Sequence, residues 1–188
     1  MPSFDLRTCK IVTSRDPIPA ELHAVDELQR WIGKLVGRQS ELVNEIDGHC
    51  IVLKADTSMG KEECSIRLEA NNLVITGGRP RGLLYGAYEL LDRFAGIRWL
   101  STDETIIPRV TEVGIPREGF DYSPILSYRE PYFTEAFDGD WAARNRMNSN
   151  RAGLTEFHGG KIIYVGFVHT FNSLVPPEEF FCSHPEYF

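Results

Sequence analysis

An α/β sandwich is the fold this sequence predicts. Two helices lie on a mixed sheet in the order β-α-β-β-β-α, followed by the first β-α-β of an incomplete (β/α)8 barrel. Three observations predict it. An amphipathic helix pattern follows a short β-branched run near the N-terminus, a hairpin signal surrounds Asn71, and the aromatic content changes after residue 120.

Lys10 to Val12 reads as a strand, and Arg15-Asp16-Pro17 as a turn. A helix then spans Pro19 to Val36. Leu22, Val25, Leu28, Ile32 and Leu35 recur at steps of three and four, Pro19 suits the first turn, and Gly37 suits the stop. Cys50 to Leu53 is a buried strand by its β-branched content. Glu63 to Glu69 alternates, Asn71-Asn72 suits a tight left-handed turn, and Leu73 to Thr76 returns as the second arm of a hairpin. A second helix covers Arg81 to Ala95, with Leu84, Ala87, Tyr88, Leu91 and Phe94 on one face and Gly96 at its end. The segment Ile107 to Gly119 carries two prolines and two glycines, which suits a connector or edge strand.

Of the 21 aromatic residues, 14 lie in the 68 residues from Asp121 onward. A compositional shift of that size places a boundary near Gly119, giving a domain over 1–119 that folds unaided and a second part over 120–188. In the second part, Leu126 to Arg129 and Ile162 to Val168 read as parallel strands flanking a helix over Asp138 to Met147. Pro176-Pro177-Glu178-Glu179 reads as a helix start. One β-α-β unit does not close a core, so this part is the start of a truncated barrel, and self-association through its aromatic surface is expected.

Composition narrows the function. With 42% apolar residues the chain buries a core, and a net charge of −7 without Lys/Arg runs argues against nucleic acid or an anionic membrane as partner. No apolar stretch approaches the ~18 residues of a membrane span. Residues 1 to 20 lack a basic-then-apolar leader, which fits a cytoplasmic protein if the N-terminus is native and a secreted or periplasmic one if it has been processed. The four cysteines contain no C-x-x-C and read as buried thiols.

Few residues carry a chemical signal. Gly77-Gly78-Arg79-Pro80-Arg81-Gly82 joins a strand to a helix, where backbone amides can hold an anion. It has neither a P-loop ending nor G-x-G-x-x-G spacing, so a turn whose glycines take positive φ is the plainer reading. Asp138/Asp140 and Glu178/Glu179 are sequence neighbours, and nothing aims them across the ~5–9 Å that glycoside hydrolysis requires. His169, at the end of an apolar run, and Arg129, at the end of the Leu126 strand, would share the carboxyl edge of parallel strands, where barrels bind substrate. The alternatives are a backbone-bonded histidine and a structural ion pair. Tyr132, Phe133, Trp141 and Phe171 could stack on sugars or pack in a core. His184 and Glu186 lack a third ligand, so no metal site and no cofactor is expected.

The stretch Leu73-Val-Ile-Thr-Gly-Gly-Arg-Pro-Arg-Gly-Leu-Leu-Tyr-Gly-Ala-Tyr-Glu-Leu-Leu91, continuing to Gly96-Ile-Arg-Trp-Leu100, resembles a known module. It is similar to the N-terminal α/β domain that precedes the catalytic barrel in family 20 hexosaminidases and family 67 α-glucuronidases. Val168-His-Thr-Phe-Asn-Ser-Leu-Val-Pro-Pro-Glu-Glu-Phe-Phe-Cys-Ser-His-Pro-Glu-Tyr-Phe188 resembles a glycosidase-like bacterial family of uncharacterised function, in which a barrel follows the same module. The resemblance implies the N-terminal portion of a glycoside hydrolase acting on a carbohydrate, with Arg129 as a substrate contact, which His169 joins by its place at the strand end. Arg129 is the position that could match an arginine binding sugar hydroxyls in the hexosaminidases, although the surrounding residues depart from their pattern. The acid and base of such enzymes come from later strands, so this chain alone is expected to be inactive. The alternative is a non-catalytic carbohydrate-binding or interaction module.

Overall fold

The helix expected over Pro19–Val36 forms with those bounds in the computed structural model, which describes residues 2–166 and 169–188. This helix, α1, ends on Gly37 in the left-handed conformation (φ 74°), where a side chain would be strained. Its buried stripe differs from the expected one. Ala24, Val25, Leu28, Trp31 and Ile32 face inward, whereas Leu22 is 46% exposed. Two successive steps of three residues rotate a position by about 120° around the helix, which carries Leu22 off the face of Leu28.

The strands are β1 (Ser3–Asp5), β2 (Lys10–Val12), β3 (Leu42–Val43), β4 (Cys50–Ala55), β5 (Cys64–Glu69), β6 (Asn72–Gly77), β7 (Arg98–Trp99), β8 (Thr105–Ile106), β9 (Glu112–Gly114) and β10 (Phe120–Tyr122). Six of them form one mixed sheet in the order β10-β5-β6-β4-β2-β3. Strands β2, β3, β4 and β6 run parallel, with Ile11 opposite Ile51 and Val52 opposite Val74. Strands β5 and β6 form the expected hairpin, with Ile66 opposite Ile75. Its turn is Ala70-Asn71, and Ala70 rather than an asparagine takes the positive φ of 50°. Asn72 instead opens β6 and accepts the Cys50 amide at its Oδ1 (3.0 Å). Strand β1 pairs with β9, and β7 with β8, as separate two-stranded ribbons.

Helix α2 (Gly82–Glu89) continues into a π-helical turn over Leu90–Phe94 and stops at Gly96 (φ 78°). It is buried on every side, because it packs against α1, β5, β6 and a later helix. Both helices cover the sheet face formed by Ile11, Ile51, Leu53, Ile66, Leu73 and Ile75.

The glycines before α2 are required for space rather than for backbone handedness. None of Gly77, Gly78 and Gly82 takes a positive φ. A Cβ at Gly78 would lie 2.0 Å from the Gly60 carbonyl oxygen, and one at Gly77 would lie 2.3 Å from the Leu83 nitrogen. Gly78→Ala should therefore cost about 1–3 kcal/mol as a backbone overlap, measured by urea unfolding; a cost below ~0.5 kcal/mol would contradict the close approach.

The core continues past Gly119. Strand β10 pairs with β5, and Ala136, Trp141, Ala142, Ala143, Ala152 and Leu154 belong to the cluster that α1 and α2 build. The helix expected over Asp138–Met147 is shorter, α3 (Gly139–Arg144), with the Asp138 side chain accepting the Trp141 amide (2.7 Å). The expected strand at Leu126–Arg129 does not form, nor does any strand over 162–166; Phe167 and Val168 lie outside the described residues. A parallel strand needs a hydrogen-bonded neighbour. Here the backbone finds one asparagine instead: Arg129 N donates to Asn148 Oδ1 (3.0 Å), and Ile162 N donates to the Asn148 carbonyl (2.8 Å). Beyond these segments come α4 (Phe171–Leu174) and α5 (Pro177–Phe180), the latter starting where the two prolines predict.

Cys9, Cys50 and Cys64 are buried and Cys182 is exposed, all as free thiols. Burial pushes the Cys64 thiol up to about 12 and raises Cys9 as well. The native chain should therefore expose one fast thiol to a disulfide reagent, and three more on unfolding. Rapid modification of more than one in the folded state would contradict this packing.

Candidate functional site

Arg129 marks the seam between the sandwich and the segment after β10. Residues 126–130 hold it in irregular backbone, and its guanidinium turns inward to Glu62, whose carboxylate accepts Arg129 Nη2 at 2.9 Å. Glu62 Oε1 also accepts Arg81 Nε (2.8 Å) and Asn148 Nδ2 (2.9 Å). Arg129 Nε donates to the Arg146 carbonyl (2.6 Å), and Nη1 to the Leu126 carbonyl (2.6 Å). Asn148 is fully buried and also donates to the Ser127 carbonyl (2.9 Å). One carboxylate, two guanidiniums and one amide thus lock residues 126–129 and 148 onto the loop before β5 and the residue that precedes α2. Arg81 completes the lock by donating to the Gly159 carbonyl (3.0 Å).

Three open cavities border this network. One of about 350 Å³ is lined by residues that include Glu62, Glu63, Arg81, Ser127 and Ile162. Another of about 540 Å³ is walled by Leu126, Tyr128, Arg129, Glu130, Pro131 and Met147. The third, about 460 Å³, lies between Arg93, Phe120, Tyr122, Pro124 and Arg129. Arg129 therefore reaches the walls of two cavities while its head remains anchored. Tyr128 donates to Glu130 Oε2 (2.7 Å) and accepts the Asn150 amide (3.2 Å), so its hydroxyl is tied down in a mostly apolar cavity wall beside Arg129.

His169 stands apart from this network. It is exposed, with a left-handed backbone (φ 57°), and among the described residues no hydrogen bond or ion pair joins it to Arg129. No strand carries either residue, so the expected pairing on adjacent parallel strands does not position them. Trp141 is buried in the core, whereas Tyr132 and Phe133 are exposed. Phe171, Phe181, Tyr187 and Phe188 form an exposed aromatic cluster near the C-terminus, with Phe171 and Phe188 ring centres 5.7 Å apart. No helix among the described residues is long and apolar enough to cross a membrane.

The carboxyls with displaced ionisation move in one direction. Burial alone would raise Glu27, but bidentate bonding to Arg144 (2.7 and 2.9 Å) outweighs it and holds the carboxyl low. Asp140 is held at about 2, chiefly by its hydrogen bond with His158. Lowered carboxyls remain ionised, the wrong state for protonating a leaving oxygen. Asp140 and His158 converge with His23, their ligand atoms all within 4.8 Å of one another. Sequence spacing gave no sign of this trio, nor of Glu62 and Asn148, because their partners lie far away along the chain.

Comparison with known proteins gives remote likenesses. Residues 99–188 match the model of a domain of unknown function (DUF4838). No curated protein matches the chain. Among solved structures the chain is similar to a GH138 enzyme targeting pectin rhamnogalacturonan II. Identity there is 24%, over 44% of this chain and 10% of that one, with a TM-score of 0.38. It is also similar to the GH20 exo β-N-acetylglucosaminidase from Vibrio harveyi in complex with N-acetylglucosamine. Identity is 16%, over 69% of this chain and 18% of that one, with a TM-score of 0.45. The chain spans 10% and 18% of the length of these two enzymes.

Proposed function

We propose that this chain is the N-terminal portion of a carbohydrate-active enzyme of the glycoside hydrolase type, and that it contributes sugar contacts rather than the acid and base. The observation that carries this reading is the placement of Arg129. Its guanidinium is fixed by Glu62 and two carbonyls and borders cavities whose other walls include Tyr128, Pro131 and Met147. A sugar presents hydroxyl acceptors along its rim and apolar C–H faces, so the one remaining N–H of Arg129 Nη1, held in place beside aromatic and apolar surface, suits it. The resemblance of residues 73–100 to the module preceding glycosidase barrels supports the same reading. His169 belongs to the proposal as a second contact from the exposed segment that follows.

The carboxyls of this chain favour a second reading, a non-catalytic carbohydrate-binding module, since Glu27 and Asp140 are held ionised by basic partners. Two assays on one preparation test both readings. Calorimetric titration with neutral hexoses, N-acetylhexosamines and hexuronates should give weak, millimolar binding to one class. Aryl glycosides and aryl uronides should show no turnover above buffer. Turnover would place an acid/base pair among these residues, and absence of binding to every sugar would remove both readings.

A further inference from the structure

His23 on α1, Asp140 on α3 and His158 in the short 3-10 turn Glu156–His158 come from three elements that pack against one another. We propose that these three residues form a binding site for a divalent transition metal ion of the zinc class, one that neither the carbohydrate reading nor the family likeness assigns. Their ligand atoms all lie within 4.8 Å of one another. Ligands about 2.0–2.1 Å from tetrahedral zinc sit roughly 3.3 Å apart, so the side chains must close by at most about 1.5 Å. Two imidazoles and one carboxylate are a donor set that zinc and its neighbours in the first transition row accept with open positions left for water.

His23 supplies the second observation. Its Nε2 is buried with no hydrogen-bond partner among the described residues, an unusual state for an imidazole nitrogen. The His158 ring stands edge-on to the His23 ring, 5.3 Å away between centres. Asp140 keeps a half-exposed side chain, which leaves a route from solvent, and Arg144 at 3.3 Å holds its Oδ2 while Oδ1 faces His158.

His158 must change tautomer to bind. Its Nδ1 now accepts the Thr155 amide (3.1 Å), so Nε2 carries the proton and donates to Asp140 (3.0 Å). With a metal on Nε2 the proton moves to Nδ1, where Thr155 Oγ1 at 3.2 Å accepts it and the Thr155 amide gives up its bond to that nitrogen. A ligand histidine whose other nitrogen donates to a fixed acceptor is the usual arrangement around such ions. The ion would tie α1 to α3 and to the turn Glu156–His158, adding to the pair of Glu27 and Arg144 that already joins α1 to α3.

The test uses the whole chain, Zn2+ alone for affinity and stoichiometry, and Co2+ for its visible absorption. His23→Leu removes a ligand whose Nε2 has no bond to lose, and Asp140→Asn keeps the shape of the second. A Cys182→Ser/His184→Ala variant removes exposed ligands elsewhere. One ion per chain is expected, weakened roughly 100-fold or more in His23→Leu and in Asp140→Asn and unchanged in the Cys182/His184 variant. If His23→Leu fails to fold by circular dichroism, Asp140→Asn decides. Absence of Zn2+ binding, or binding lost only in the Cys182/His184 variant, overturns the proposal.

Discussion

Glu62→Leu is expected to destabilise the protein by about 3–5 kcal/mol, the loss found when one partner of a buried ion pair is removed. Glu62 is 8% exposed and holds Arg81 at 2.8 Å and Arg129 at 2.9 Å, with the buried Asn148 amide as a third donor. Removing the carboxylate leaves two guanidiniums with carbonyl acceptors but no countercharge where water has little access. Amide exchange in 126–129 and around Asn148 should accelerate along with the loss of stability, because those segments are held by this cluster rather than by a sheet. Replacing Arg81 and Arg129 by methionine in the same background should recover a large part of the loss, since the cost lies in uncompensated charge. Denaturant midpoints measure both effects. A loss below ~1 kcal/mol would mean that the carbonyls of Gly159, Arg146 and Leu126 satisfy the arginines without the carboxylate.

Glu27→Gln is expected to cost about 3 kcal/mol near neutral pH, again for a buried pair. Glu27 is 2% exposed, bonded by Arg144 through two nitrogens and by Trp31 Nε1 at 3.1 Å. The pH dependence has a definite sign. Its carboxyl lies below the ordinary value of 4.5 in the folded protein, so the unfolded chain takes up the proton first as pH falls. Its contribution is complete above pH 4.5 and is lost as pH drops through the lower folded value. The gap between the native protein and Glu27→Gln should therefore be widest near neutrality and close in acid. A gap that is constant or widens on acidification would contradict the ionised pair.

Local pattern was legible in the sequence, and long-range partnership was not. Pro19, Gly37 and the steps of three and four mark α1 correctly, and alternation marks the β5–β6 hairpin, because both signals arise within a dozen or so residues. The pairing of Ser3–Asp5 with Glu112–Gly114 has no local signature at all. Residues 126–129 and the apolar run at 162–168 read as strands in sequence, but propensity does not supply a neighbour, and Asn148 takes that place for the described part. Arg129 drew notice from a strand end that does not form, whereas its partner Glu62, 67 residues earlier, gave no signal. His23, Asp140 and His158 fit no spaced motif because three elements distant in sequence deliver them.

Backbone amide NMR during titration with the sugar class that calorimetry selects tests the central claim most directly, because it locates the ligand as well as detecting it. The account predicts saturable shifts confined to Leu126, Tyr128, Arg129, Glu130 and Met147, the residues walling the cavity beside the Glu62–Arg129 pair. Shifts confined to the exposed aromatic cluster of Phe171, Phe181 and Phe188, with the Arg129 cavity silent, would contradict it.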